Sequence, residues 1–273
     1  MHITVLGSGT CASHVPGIPT RFPPGFLVEY GEERILFECS EGIRFRLEKI
    51  AVPYGEIQHL AISHIHADHF ALPNLVQSMF CYGLFCGSKP EVLSLYVPDD
   101  IAEAWPMLFK IYVPEAPSEL MTKDAYLWPE MDFHRMPREE AVKIGAGTLT
   151  AAKVYHGFGR TDAVAFRLET PEGIFVYSGD TGECAGIRQI TKDADIFICE
   201  SAARIGDETS ATGYGHLNPR QAGEIAKQAG VKKLVLTHYI GLDDEGAMIA
   251  DCKKSGFAGE VSLAKDFAVI KLQ

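Results

Sequence analysis

Four metal-capable side chains, His64, His66, Asp68 and His69, fall within six residues directly after the apolar run Leu60-Ala61-Ile62-Ser63. In extended backbone, residues two apart point to the same side, so His64 and His66 converge on one point as the strand ends. Asp68 and His69 then turn toward another. Imidazole and carboxylate suit zinc, and the same donors also accept manganese or iron(II). The local spacing supports a metal site, and distant residues of the same types strengthen that reading.

Suitable distant residues exist, because several apolar segments each end in a ligand-type side chain. Val154-Tyr155 leads to His156, Val176-Tyr177-Ser178-Gly179 leads to Asp180, and Val235-Leu236-Thr237 leads to His238. Loops at one edge of a sheet are where chemistry is usually held, since rigid strands support loops that are free to carry polar groups.

The rest of the chain reads as mixed α/β. Strand-like runs occupy His2 to Leu6, Gly25 to Tyr30 and Arg34 to Cys39, the latter two forming a hairpin over Gly31-Glu32-Glu33. Further short β-rich runs are His59 to Ser63, Val92 to Val97, Val164 to Leu168, Ile174 to Tyr177, Ile196 to Cys199 and Lys233 to Thr237. Asn218-Pro219-Arg220-Gln221 predicts a helix start, with Asn as N-cap, Pro at the first helical position and Gln221 at capping-box spacing, and the helix should end near Gly230. A second helix should follow His69 through Asn74 to Met79, with Pro73 in its first turn. Lys110 to Arg138 carries four prolines and no clean period, and is expected to be an irregular insertion or lid. Neither a repeat nor a linker marks a boundary, so one domain spanning residues 1–273 is expected.

With 47% hydrophobic and 22% charged residues, a substantial core can form without disulfides. The seven cysteines are scattered, with no Cys-x-x-Cys pair, and are expected to be reduced thiols, mostly buried. The longest apolar runs fall far short of the roughly 20 residues of a membrane span, and the N-terminus reads directly as a strand, so a cytoplasmic location without membrane association is expected. The net charge of −11, with dispersed basic residues, disfavours extended nucleic acid and leaves room for a small anionic substrate held by metal ions. The apolar Phe80-Cys81-Tyr82-Gly83-Leu84-Phe85 and the segment from Lys110 to Arg138 would wall a pocket, cover a second copy in a homodimer, or both.

His64-Ile65-His66-Ala67-Asp68-His69, followed in order by His156, Asp180 and His238, resembles the signature of the metallo-β-lactamase superfamily. The resemblance runs from the opening strand and hairpin to Leu263-Ala264-Lys265-Asp266. It implies an α/β fold, a four-layer αββα sandwich, with two divalent ions, zinc first among them. One ion would be held by His64, His66 and His156, the other by Asp68, His69 and His238, with Asp180 bridging. Two such cations about 3.5 to 4 Å apart would lower the pKa of a bridging water and polarise the scissile bond. His66, where the diiron oxygen-reducing branch has Glu, favours hydrolysis.

Glu200 and His216 are similar to a pair in the ribonuclease Z-like branch, in which a Glu orients a His near the leaving group. A carboxylate that holds an imidazole protonated can supply a proton to a departing phosphoester oxygen; Asp68, His216 and Glu200 are the catalytic candidates. Phe37-Glu38-Cys39-Ser40-Glu41-Gly42 resembles the Asp-Cys-Gly-Glu-Gly run of the same branch, with Glu for the first Asp, and strand-end structure accounts for it equally well. The other histidines, His2, His14, His59 and His134, are expected to be structural or solvated, and Arg160 is a candidate contact for an anionic substrate.

Ribonuclease Z enzymes carry a long transfer RNA-gripping arm, inserted in the bacterial form between the lone His and the bridging Asp. Only Gly157 to Gly179 separates those positions here, which favours a smaller phosphodiester, such as a cyclic nucleotide or cyclic phosphate. The alternatives are a lactone or thioester hydrolase of the same fold, a transfer RNA 3′ endonuclease, and a non-enzymatic metal-binding sensor or partner protein.

Overall fold

The computed structural model describes residues 1–11, 16–87, 91–113 and 128–272. Strand β1 (His2–Gly7) pairs antiparallel with β2 (Gly25–Tyr30), which makes the expected hairpin with β3 (Glu33–Phe37), Phe26 opposite Phe37. Helix α1 (Ile43–Lys49) then crosses over to β4 (His59–Ala61), parallel to β3. Helices α2 (Leu72–Cys86) and α3 (Asp99–Tyr112) flank β5 (Val92–Val97) and lead to β6 (Glu130–Arg135), each new strand being parallel to the one before.

A second sheet repeats this plan. The strands β7 (Val142–Ile144), β8 (Gly147–Lys153), β9 (Val164–Thr170) and β10 (Gly173–Tyr177) form an antiparallel meander. From β10 the pairing turns parallel, through α4 (Ala185–Ile190) to β11 (Ile196–Glu200), through α5 (Ala211–Tyr214) and α6 (Pro219–Ala229) to β12 (Lys233–Thr237), and through α7 (Glu245–Lys253) to β13 (Glu260–Leu263). Strand β14 (Val269–Lys271) returns to the free edge of β1, giving sheet orders β14-β1-β2-β3-β4-β5-β6 and β13-β12-β11-β10-β9-β8-β7.

Three apolar cores show the layering. Between the sheets, Phe26, Phe37, Phe166, Phe175 and Tyr177 interdigitate, with Phe37 and Phe175 ring centroids 5.1 Å apart. Burying each such side chain contributes about 1.5 to 3 kcal/mol. On the outer face of the first sheet, Leu36, Leu60 and Leu95 meet Leu47, Leu75 and Met79 of α1 and α2. On that of the second, Phe197, Leu234 and Leu236 meet Ile187, Ile225 and Met248 of α4, α6 and α7. The result is an α/β/β/α sandwich, as expected for an α/β chain of the metallo-β-lactamase type.

Helix α6 has the sequence-predicted bounds. Asn218 accepts from the Gln221 backbone N–H at 2.9 Å, the Gln221 side chain accepts in return from the Asn218 N–H at 3.0 Å, and Gly230 ends the helix in the left-handed region. Helix α2 likewise starts with Pro73 in its first turn. Two expectations need correction. The stretch from Lys110 to Arg138 is regular at both ends, where α3 reaches Tyr112 and β6 takes Glu130–Arg135. Met131 and Phe133 alternate toward the outer core, a period hidden between Pro129 and Pro137, while residues 114–127 lie outside the described residues. Cysteine burial is also narrower than expected. Only Cys39, Cys199 and Cys252 are buried, whereas Cys11, Cys81 and Cys86 are exposed. Among the described residues no helix is long and apolar enough to cross a membrane.

Candidate metal centre

The carboxyl ends of the parallel strands β4, β11 and β12, and of β10 beside them, open at one edge of the sandwich, where loop backbone is free to turn functional groups inward. His64 and His66 follow β4, Asp180 follows β10, Glu200 is the last residue of β11 and His238 follows β12. His156 arrives differently from the sequence expectation: β8 stops at Lys153, and Tyr155 is held by a bridge to Gly182 and not by a continuous strand. At Gly179, φ is +57° and a Cβ would come within 2.6 Å of the Ser63 Cβ, so only glycine lets the chain pass close enough to aim Asp180 at the site. His238 itself adopts φ +56°, strained for a non-glycine residue, while its N–H donates to Ser8 O at 2.9 Å.

All seven candidate ligands meet in two adjoining groups. In the first, the ligand atoms of His64, His66 and His156 lie within 4.8 Å of one another, with His66 Nδ1 and His156 Nε2 3.1 Å apart. Asp68, His69 and His238 form the second, with His238 Nε2 3.3 Å from both His69 Nε2 and Asp68 Oδ2. Asp180 stands between them. Its Oδ2 lies 3.9 Å from His64 Nε2 and 3.7 Å from His156 Nε2, and its Oδ1 lies 3.4 Å from both His69 Nε2 and His238 Nδ1.

The surroundings set which ring nitrogen faces inward. His156 Nδ1 lies 2.9 Å from Gly215 O, so it carries the proton and leaves Nε2 as a lone-pair donor. Ser63 Oγ lies 2.9 Å from His64 Nδ1 and holds that ring with Nε2 turned toward the other candidate ligands. Asp68 Oδ2 accepts the Cys11 backbone N–H at 2.9 Å. Burial opposes ionisation of Asp68, but the His238 contact and the neighbouring His69 outweigh it and hold the carboxyl at about 2. Asp180 is likewise held well below the usual carboxylate range against its burial, chiefly by His238 and His69. Burial is the main cause of the depressed His64 value, so its ring stays neutral.

Buried polar atoms normally have hydrogen-bond partners. Here His64 Nε2, Asp180 Oδ1 and His238 Nδ1 are buried without one, all pointing into the space the seven side chains share. Facing imidazole nitrogens and ionised carboxylates left unsatisfied in this way are the donor types that divalent cations take, and the residues fit such ions.

Glu200 and His216 are also brought together. The buried Glu200 carboxylate accepts the backbone N–H groups of Thr181 at 3.0 Å and Ala202 at 2.9 Å, and its Oε1 lies 2.9 Å from His216 Nδ1. Burial pulls His216 down, but Glu200, and then Asp180, push it up to about 9. The His216 ring stacks on His238 at 5.8 Å and lies 5.0 Å from His156.

Glu38 belongs to the centre more closely than its sequence context suggested. It is fully buried with φ +68°, its Oε2 accepts the Ser63 N–H at 3.1 Å, and its Oε1 lies 3.2 Å from His69 Nδ1, off the line of a good hydrogen bond. An acid at the end of an otherwise apolar strand, Ile35-Leu36-Phe37-Glu38, was the available signal. Arg160 lies exposed at the flank. His59 instead contacts Tyr96 and His134 contacts Glu139, His2 is exposed, and His14 lies outside the described residues. Beside Ala67 and Asp68 opens a cavity of about 550 Å³, walled by Phe22, Phe45 and Phe267.

The family model described as "Beta-lactamase superfamily domain" matches residues 33–239. The chain is 28% identical to a ribonuclease Z of Methanothermobacter thermautotrophicus, over 87% of this chain and 86% of that one. It is also 28% identical to the probable metallo-hydrolase YhfI of Bacillus subtilis, over 97% of each. The crystal structure of YhfI, a metallo-beta-lactamase fold protein, superposes with a TM-score of 0.79 over 98% of each chain at 24% identity. A diphosphatase from the PhnP family superposes at 0.73, covering 100% of this chain and 98% of that one at 18% identity. With the layered fold and the histidine and aspartate cluster already in place, the match over most of the chain decides its kinship: it belongs to the beta-lactamase superfamily, as a hydrolase of the metallo-β-lactamase fold.

Proposed function

We propose that the chain is a dinuclear phosphodiesterase acting on a small or cyclic phosphodiester. His64, His66 and His156 would hold one divalent ion and Asp68, His69 and His238 the other, with Asp180 shared; zinc suits the donors best. When bound, the ions supply a water of lowered pKa and a Lewis acid for the phosphoryl oxygens.

The observation that carries the phosphodiester reading is the Glu200–His216 pair. A thioester expels a thiolate that departs without a proton, and a lactone expels its alkoxide from a tetrahedral intermediate formed by prior addition, whereas a dialkyl phosphodiester must expel an alkoxide as the phosphorus is attacked and depends most on a proton delivered to it. His216 Nδ1 is engaged by Glu200, which directs the other nitrogen, Nε2, away from that partner as the proton donor. Glu200, pinned by two backbone N–H groups, keeps the ring charged and correctly turned. Glu38 has the matching role at His69, orienting the ring and sharpening its basicity toward a cation. Glu38→Gln should therefore weaken metal affinity about 10- to 100-fold with little change in melting temperature. Chelator competition measures this, and unchanged affinity would remove Glu38 from the centre.

A transfer RNA 3′ endonuclease is the second reading, favoured by the relatives named ribonuclease Z. The stretch between His156 and Asp180 is taken up by a short turn and the β9–β10 hairpin, and the net charge of −11 does not attract a polyanion. Turnover of bis(p-nitrophenyl) phosphate, cyclic nucleotides, a lactone, a thioester and precursor transfer RNA decides among these. Efficient hydrolysis of the diesters alone is expected; preferred cleavage of the lactone, the thioester or the transfer RNA would overturn the proposal.

A further inference from the structure

The turn after His156 has a feature that metal binding does not require. Gly157, Phe158 and Gly159 all adopt left-handed backbone, with φ of +57°, +56° and +72°. Glycine accepts this freely, but a phenylalanine with positive φ is an outlier that persists only when its surroundings impose it. Here the two flanking glycines allow it, and the outcome is an aromatic ring turned out to solvent, 56% exposed, at the rim of the candidate centre. Neither packing nor solubility explains such an arrangement, since the ring adds little to any core.

Its neighbours connect it to the chemistry. Phe158 meets Tyr214 edge to face with centroids 5.0 Å apart. Tyr214 in turn stacks on His216 at 5.5 Å with 23° between planes, and lies 5.2 Å from His156. The hydroxyl of Tyr155 donates to Gly213 O at 3.1 Å, tying the two loops together. Arg160, also exposed, places its guanidinium 5.7 Å from the Phe158 centroid. An aromatic face one ring away from the leaving-group donor, flanked by a planar cation, has the composition of a platform for an electron-rich planar ring.

The geometry points to Phe158 as a specificity residue that stacks the nucleobase, or an equivalent planar ring, carried by the leaving-group side of the substrate, with Arg160 alongside. This rests on the phosphodiesterase reading for its orientation: the alcohol that leaves toward His216 would carry its ring onto Phe158, which makes nucleoside phosphodiesters the preferred substrate class. Apart from its edge contact with Tyr214, Phe158 lies outside the three apolar cores and is more than half exposed, so its removal should leave the fold and the metal centre intact.

Isothermal titration of the metal-loaded protein with adenosine 5′-monophosphate and with ribose 5-phosphate isolates the ring, because the phosphate contribution is common to both. Wild-type protein should bind the nucleotide about tenfold or more tightly than the sugar phosphate, a stacking-sized preference. Phe158→Ala should abolish that preference and Phe158→Trp should keep it, each melting within a few degrees of wild type. Equal binding of the two ligands by wild type, or an undiminished preference in Phe158→Ala, overturns the proposal. Bis(p-nitrophenyl) phosphate turnover on the same samples separates the two ideas. A ring preference dependent on Phe158 without diester hydrolysis would sink the phosphodiesterase reading alone, and hydrolysis without the preference would sink the stacking site alone.

Discussion

Asp180→Asn is expected to lower kcat/KM by about three orders of magnitude or more and to release bound metal, with the fold preserved. Among the described residues, Asp180 is the one carboxylate whose two oxygens face different ligand groups, Oδ2 toward His64 and His156 and Oδ1 toward His69 and His238. An amide offers a single neutral oxygen and turns an N–H toward one of the groups, so it cannot serve both cations. Paired metal ions supply several kcal/mol of transition-state stabilisation, and each 1.36 kcal/mol is tenfold in rate. The fold should survive because Asp180 Oδ1 makes no hydrogen bond within the chain and the residue lies at the rim of β10, outside the three apolar cores. Elemental analysis with steady-state kinetics checks the outcome. Full metal content and a rate within tenfold of wild type would show that Asp180 does not join the two sites.

The second large effect belongs to His216, the proposed proton donor. His216→Ala should reduce kcat on a dialkyl or cyclic phosphodiester by about 10²- to 10⁴-fold. Bis(p-nitrophenyl) phosphate should be affected far less, because its nitrophenolate departs without a proton. The pH profile gives the sign independently. An acid must be protonated to work, so kcat on the alkyl substrate should fall as pH rises through the His216 pKa. Glu200 is the main influence raising that pKa against the pull of burial. Glu200→Gln should therefore move the alkaline limb to lower pH, while His216→Ala should erase it. Equal losses on both substrate types, or an alkaline limb that stays in place in Glu200→Gln, would assign His216 to structure or metal binding and not to proton transfer.

Local features of this protein were legible in its sequence because each rests on neighbours a few residues apart. The capping box of α6 needs only Asn218, Pro219 and Gln221, the β2–β3 hairpin needs only two apolar runs and a polar turn, and the first four candidate ligands lie within six residues. Where apolar periodicity was interrupted, the reading weakened, as at β6, whose alternating Met131 and Phe133 sit between prolines.

What the spacing could not carry is how remote strand ends converge. His66 and His156 are 90 residues apart in sequence, and Asp68 and His238 are 170 apart, yet their ligand atoms lie 3.1 and 3.3 Å from each other. The stacking of the two sheets decides that approach, and with it the placement of Asp180 between the two groups. The same packing decides which nitrogen of His156 is free, through Gly215 O, and makes Glu38 a partner of His69. It also makes the turn at Phe158 significant, because an exposed ring in left-handed backbone acquires meaning only when Tyr214 and His216, more than fifty residues later, are folded against it. The sequence by itself determined the donor types and the strand ends that bear them; the tertiary structure alone decided their mutual distances and orientations, because hydrogen-bond register and sheet packing act between residues that the chain keeps far apart.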